Sequence, residues 1–115
     1  MATAGIIPVN ATVTVSTAGT RVQVNASTTA IPTSIYFEAY GGNGGNIFIG
    51  MNDVSSSKYI ARLTAGSGWS ITSDGVGGAG RLSGIGLSLA SFYVDTSNSG
   101  DKVFVTYMYN QKTQP

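Results

Sequence analysis

A chain of 115 residues with six basic and five acidic side chains carries almost no net charge, and it contains neither cysteine nor histidine. Disulfides, thiolate chemistry, histidine general bases and imidazole metal sites are excluded. The scattered cations (Arg21, Lys58, Arg62, Arg81, Lys102 and Lys112) offer no grouped surface for nucleic-acid phosphates. Such a length fits one domain with a core that needs no covalent staples, and so sparse a charge favours association between copies over repulsion.

Residues 1–9 read as an N-terminal arm, in which Ile6 and Ile7 precede Pro8 and favour extended backbone. Such an arm packs across its own domain or reaches a neighbour. The domain itself is expected over 10–110, with a short tail at 111–115. The opening residues lack the basic and apolar regions of a signal peptide, and no stretch approaches the roughly 20 apolar residues of a membrane helix. A soluble product of a cytoplasm, without a membrane partner, is the expectation.

Beyond the arm, ATVTVS and TRVQVNA alternate with period two and read as half-buried strands joined by a tight turn around Ala18-Gly19. SIYFEAY places Ile35, Phe37 and Ala39 on one face and Tyr36, Glu38 and Tyr40 on the other. The joint GGNGG lacks the Lys-Ser/Thr of a phosphate-binding loop and leads into the strand NIFIGM rather than a helix, so it reads as a flexible turn. KYIARL and GWSIT supply further strands. The glycine-rich segment 73–88 reads as a long loop with a short strand around Ile85 to Leu87, and its Leu82, Ile85 and Leu87 are candidates for packing on something else.

The C-terminal stretch LASFYVDTSNSGDKVFVTYMY reads as a β-hairpin with a connector longer than two residues. Its second arm is apolar on both faces, with Val103, Val105, Tyr107 and Tyr109 on one and Phe104, Thr106 and Met108 on the other. A strand of that kind is central in a packed sheet or covered by another subunit. Interfaces are rich in Tyr, Phe and Met, so Phe104, Tyr107, Met108 and Tyr109 join Ile6, Ile7, Leu82, Ile85 and Leu87 as candidate interface residues. About eight short strands, spaced by turn signals and without helical periodicity, predict an all-β protein: a single β-sandwich with Greek-key or jelly-roll connections.

Little in the chain supports catalysis or cofactor binding. Asp95, Ser97, Ser99 and Asp101 space oxygen side chains like the first half of a calcium loop, but Thr106 stands where the closing Glu is required. The segment is already accounted for as a turn, so no metal or other cofactor is expected. Four of the five acids lie in polar, turn-like contexts, where Asp bonds nearby backbone. The expectation is a protein that is not an enzyme. Trp69 and the six tyrosines could stack on sugar rings, but Trp69 alternates with Ile71, which suits a core face.

In order and texture the chain resembles a family of small virion proteins of tailed bacteriophages. The resemblance rests on VTVSTAGTRVQVNAS, IPTSIYFEAY, NIFIGMNDVSSS, TAGSGWSIT and FYVDTSNSGDKVFVTYMY, which together cover most of Ala11 to Tyr109. The glycine-rich segment 73–88 departs from the simpler pattern. The resemblance implies a β-sandwich located in the virion, without catalytic residues, most plainly a capsid decoration or cement protein bound to the major capsid protein or to other virion proteins. Such proteins often form trimers. A tail, collar or fibre-associated part is the nearest alternative, and a carbohydrate-binding module is the alternative from a different class.

Overall fold

The computed structural model describes residues 6–26, 32–72 and 88–110, and of Ile6, Ile7, Tyr109 and Asn110 only the backbone. Eight strands follow in order: β1 (Ile6–Thr14), β2 (Val22–Gln23), β3 (Ser34–Ala39), β4 (Ile47–Gly50), β5 (Ala61–Leu63), β6 (Gly68–Thr72), β7 (Tyr93–Thr96) and β8 (Lys102–Asn110). A 3-10 turn, Leu89–Ser91, precedes β7. The strands form two antiparallel sheets, one ordered β1-β8-β3-β6 and the other β2-β7-β4-β5.

That order has a simple origin. β1 pairs with β8, β2 with β7, β3 with β6 and β4 with β5, as if the chain were one long hairpin. Doubling the hairpin over brings β3 against β8 and β4 against β7. An eight-stranded sandwich wound in this way is a jelly roll. The protein is therefore all-β, as the strand spacing predicts.

Alternation along the strands builds the core. Ile35, Phe37 and Ala39 of β3 and Val103, Val105 and Tyr107 of β8 face inward from the first sheet, meeting Ile47, Ile49, Leu63 and Val94 of the second. Leu89 and Phe92, beside the 3-10 turn, close the same cluster. Phe37 lies at its centre, fully buried, 5.8 Å from the ring of Trp69 and 6.1 Å from that of Phe92. Trp69 thus serves the core side of β6, as its alternation with Ile71 predicts.

The expected C-terminal hairpin is not formed. β7 and β8 belong to opposite sheets, and the residues between them arch across the sandwich. The same correction applies to the tight turn expected between β1 and β2, whose strands also lie in different sheets. Adjacent strands of like alternation can bury their apolar faces either side by side or face to face across a core. Sheets packed about 10 Å apart leave the 97–101 link long enough for the second arrangement.

The expected arm 1–9 is also altered. β1 begins at Ile6 and pairs with β8 without interruption from Ile6↔Asn110 to Thr14↔Lys102, so residues 6–9 belong to the sheet. Residues 1–5 and 111–115 lie outside the described residues, as does all of the 73–88 loop except Ser88.

The links 15–21, 40–46, 64–67 and 97–101 each cross between the sheets and gather at one end of the sandwich. Two aspartates tie three of them together, and backbone bonds with Ala39 hold the 64–67 link. Asp101 accepts the backbone N–H groups of Gly44 at 3.0 Å and Gly45 at 2.8 Å, and Asp95 accepts those of Gly19 at 2.9 Å and Thr96 at 2.8 Å. Ser97 and Ser99 accept from Asn46 and Ala18. Asn43 brackets Lys102 through both its backbone groups. The glycine-rich joint does cradle an anion, namely the carboxylate of Asp101, through successive N–H groups. Gly45 has no room for a side chain, because a Cβ there would overlap the Ser97 hydroxyl.

Candidate interaction surface

β8 is the middle strand between β1 and β3, so its two faces meet different surroundings. Its Val103, Val105 and Tyr107 enter the core. Its Phe104, Thr106 and Met108 lie on the outer face of the first sheet, which no other element among the described residues covers. Phe104 there is 37 % exposed, beside Tyr36 at 40 % and Tyr40 at 42 %. Thr12, Glu38 and Gly68 complete the row across the sheet through Phe104.

These aromatic side chains are held by their neighbours. Tyr40 meets Phe104 edge to face at 5.9 Å, and the Lys102 ammonium stands 4.6 Å from the centre of the Tyr40 ring. Both arrangements suit the negative face and positive edge of an aromatic ring. Tyr36 lies over Gly68, where a Cβ would overlap its ring and hydroxyl. Glycine on β6 therefore lets a tyrosine of β3 lie flat on the sheet. Thr106 donates to Asn10 Oδ1 at 2.8 Å beside a shallow depression bordered by Phe104.

A second apolar patch lies on the other sheet, at the β4–β5 connection. Met51, Tyr59 and Ile60 are exposed there, and Tyr59 covers Phe48 at 5.4 Å between ring centres. Val54 plugs the loop against Gly50, and Lys58 pairs with Asp53 on its rim at 2.5 Å. That hydrogen bond holds the Asp53 carboxyl below the usual aspartate range. Both groups are largely exposed, so the pair adds little to stability.

Among the candidate interface residues, the structure places Phe104 on the outer face of the first sheet and Met108, half-buried, on the same face. Tyr107 is corrected. It is 6 % exposed within the core, because the alternation that points Phe104 and Met108 outward turns it inward with Val103 and Val105. Ile6, Ile7 and Tyr109 take part in the β1–β8 pairing, and their side chains lie outside the described residues, as do Leu82, Ile85 and Leu87. Tyr36 and Tyr40 were legible as one face of SIYFEAY, but nothing in the sequence marked that face as the uncovered one. Met51, Tyr59 and Ile60 read in the sequence as the ends of the strands NIFIGM and KYIARL, but β4 ends at Gly50 and β5 begins at Ala61, so all three belong to the connection between them.

The surface suits apolar and stacking contacts rather than acid–base chemistry. Glu38 is the one carboxylate on β3, and its cross-strand neighbours are Phe104 and Gly68. The carboxylates of Asp95 and Asp101, spaced like calcium ligands in the sequence, are directed to backbone N–H groups. Among the described residues no three acidic side chains are grouped so as to hold a metal ion, and no helix is long and apolar enough to cross a membrane. No protein-family model matches the chain, and no curated protein sequence matches it.

Proposed function

We propose that this chain is a non-enzymatic structural part of a phage virion, a capsid decoration or cement protein that attaches to the assembled head in more than one copy. The reading rests on the resemblance of its strands to small phage virion proteins and on a fold that serves widely in viral capsids. The observation that carries it furthest is the exposed cluster of Phe104, Tyr36 and Tyr40 on the middle of an open sheet face. Clustered exposed aromatics mark interaction surfaces, and aromatic residues supply much of the binding energy where such surfaces meet a partner. The partner is the major capsid protein, or another virion protein if the chain belongs to the tail, collar or fibre. The test is co-sedimentation: the protein should bind assembled heads of its phage at fixed stoichiometry and leave free coat subunits in the supernatant.

One observation favours a second reading. The Tyr36 ring over Gly68, with 40 % of the residue exposed, is shaped for stacking on a pyranose ring. A carbohydrate-binding module would lose glycan binding on Tyr36→Ala, whereas a decoration protein would show no glycan binding to lose.

A further inference from the structure

Among the described residues β1 is an open edge of the first sheet, and its outward backbone groups can be assigned residue by residue. Val15 donates to the carbonyl of Asp101 at 3.0 Å and accepts from Gly100 at 2.8 Å, so its backbone groups face β8. Successive residues of a strand face opposite edges. Val13, Ala11, Val9 and Ile7 therefore also face β8, and Thr14, Thr12, Asn10 and Pro8 face away. The other side of the ladder agrees, because Met108, opposite Pro8, uses its carbonyl to accept from Thr33 of the β3 side at 2.8 Å. Pro8 consequently lacks its N–H at the open edge, where β8 loses nothing.

The edge is long and little protected. β1 runs nine residues in unbroken register, against five for β6, three for β5 and two for β2. It carries no charged side chain, and Asn10, Thr12 and Thr14 are all exposed. Natural edges are blunted by Lys, Pro, bulges or shortness. β1 has only Pro8, which leaves 10–14 open. Val9 and Ala11, on the inner face, are half-buried against the core.

We infer that two copies of this chain pair antiparallel through their β1 edges, on a two-fold axis at Thr12. This register sets Thr12 opposite Thr12 of the second copy and Asn10 opposite Thr14, giving a ladder of about six backbone bonds that avoids Pro8. Registers centred nearer the N-terminus set the Pro8 ring, which has no N–H, directly against the backbone of Thr12 or Thr14 in the second copy, and those nearer the C-terminus run off the strand at Thr14. On the inner face the same register sets Ala11 opposite Val13 and Val9 opposite Val15, covering the half-buried pair with apolar neighbours. A formal charge of +1 opposes the pairing little. The two first sheets become one continuous sheet, with both aromatic clusters on the same side. An edge that pairs with its own copy closes at two, so the trimer implied by the resemblance would need a separate contact. The inference does not depend on the proposed function.

Cross-linking tests the register directly, because the chain has no cysteine of its own. Hydrogen-bonded antiparallel partners have Cα atoms about 5.5 Å apart, within the span of a disulfide. Thr12→Cys should oxidise to a species of twice the 11.8 kDa chain mass, and Asn10→Cys should not. In sedimentation equilibrium the unmodified chain should be a dimer. Thr12→Pro removes only outward-facing N–H groups, so it should keep the circular dichroism of the fold while raising the dissociation constant about tenfold or more. A monomer at the highest soluble concentration, or cross-linking through Asn10→Cys and not Thr12→Cys, would overturn the inference.

Discussion

The carboxylate of Asp101 accepts the backbone N–H of Gly45 at 2.8 Å across 56 residues of sequence, with Gly44 held beside it. This contact ties the β7–β8 arch to the β3–β4 arch, so it joins the two sheets at the end where the crossing links gather. Asp101 is buried, and its loss leaves two glycine N–H groups short of a charged acceptor. Asp101→Ala should lower unfolding stability by about 3–6 kcal/mol in urea titration, since each of the two bonds to the charged group contributes ~1.5–3 kcal/mol. Asp101→Asn should recover part of that loss by keeping one acceptor oxygen.

The two faces of β8 should respond oppositely to truncation. Tyr107→Ala opens the core and should cost about 3–5 kcal/mol, on the scale of other large aromatic truncations. Phe104→Ala removes an exposed ring and should change stability by less than about 1 kcal/mol, while weakening the proposed attachment to the head. Denaturant midpoints and head-binding isotherms for both variants check this division.

Much of this fold was readable in the sequence, and the failures are informative. Period-two alternation in some segments, and apolar runs between turn signals in the others, located the strands and put Ile35, Phe37 and Trp69 on core faces. Neither told partner strands from opposed ones. Alternation records that one face of a strand is buried, not which sheet the strand joins, so β7 and β8 read as a hairpin when they face each other across the core. The aspartates that fix the arches were visible as turn residues, but their long-range glycine partners were not. For the candidate surface, residue type grouped Phe104 and Met108, which lie on the outer face, with Tyr107, which the structure buries. The β8 pattern is apolar on both sides, so composition could not separate the covered face from the open one.

Removal of residues 2–9 separates the arm expected from the sequence from the strand found in the structure. A docking arm could be deleted without loss of stability. As part of β1, residues 6–9 pair with 107–110 and bring Val9 against the core. The deletion should therefore lower the urea midpoint clearly, as measured by intrinsic fluorescence of Trp69, which packs on Phe37.

The proposed attachment to heads should depend little on salt. Six scattered cations can make few ion pairs across any interface, and screening weakens such pairs strongly as the Debye length falls from ~10 Å at 0.1 M to ~3 Å at 1 M. Apolar contacts through Phe104, Tyr36 and Tyr40 are not weakened in that way. Occupancy on heads measured across a sodium chloride series should stay nearly constant, and release of most copies by 1 M salt would show an electrostatic attachment instead.

The central claim is that the open aromatic face of the first sheet attaches this protein to an assembled virion. The most direct measurement is co-sedimentation of the intact chain and its Phe104→Ala/Tyr36→Ala variant with assembled heads and, separately, with free coat subunits. The account predicts saturable binding of the intact chain to assembled heads alone, and loss of that binding in a variant that keeps its β-sheet circular dichroism. Failure of the intact chain to bind heads, or equal binding by the folded variant, would contradict it.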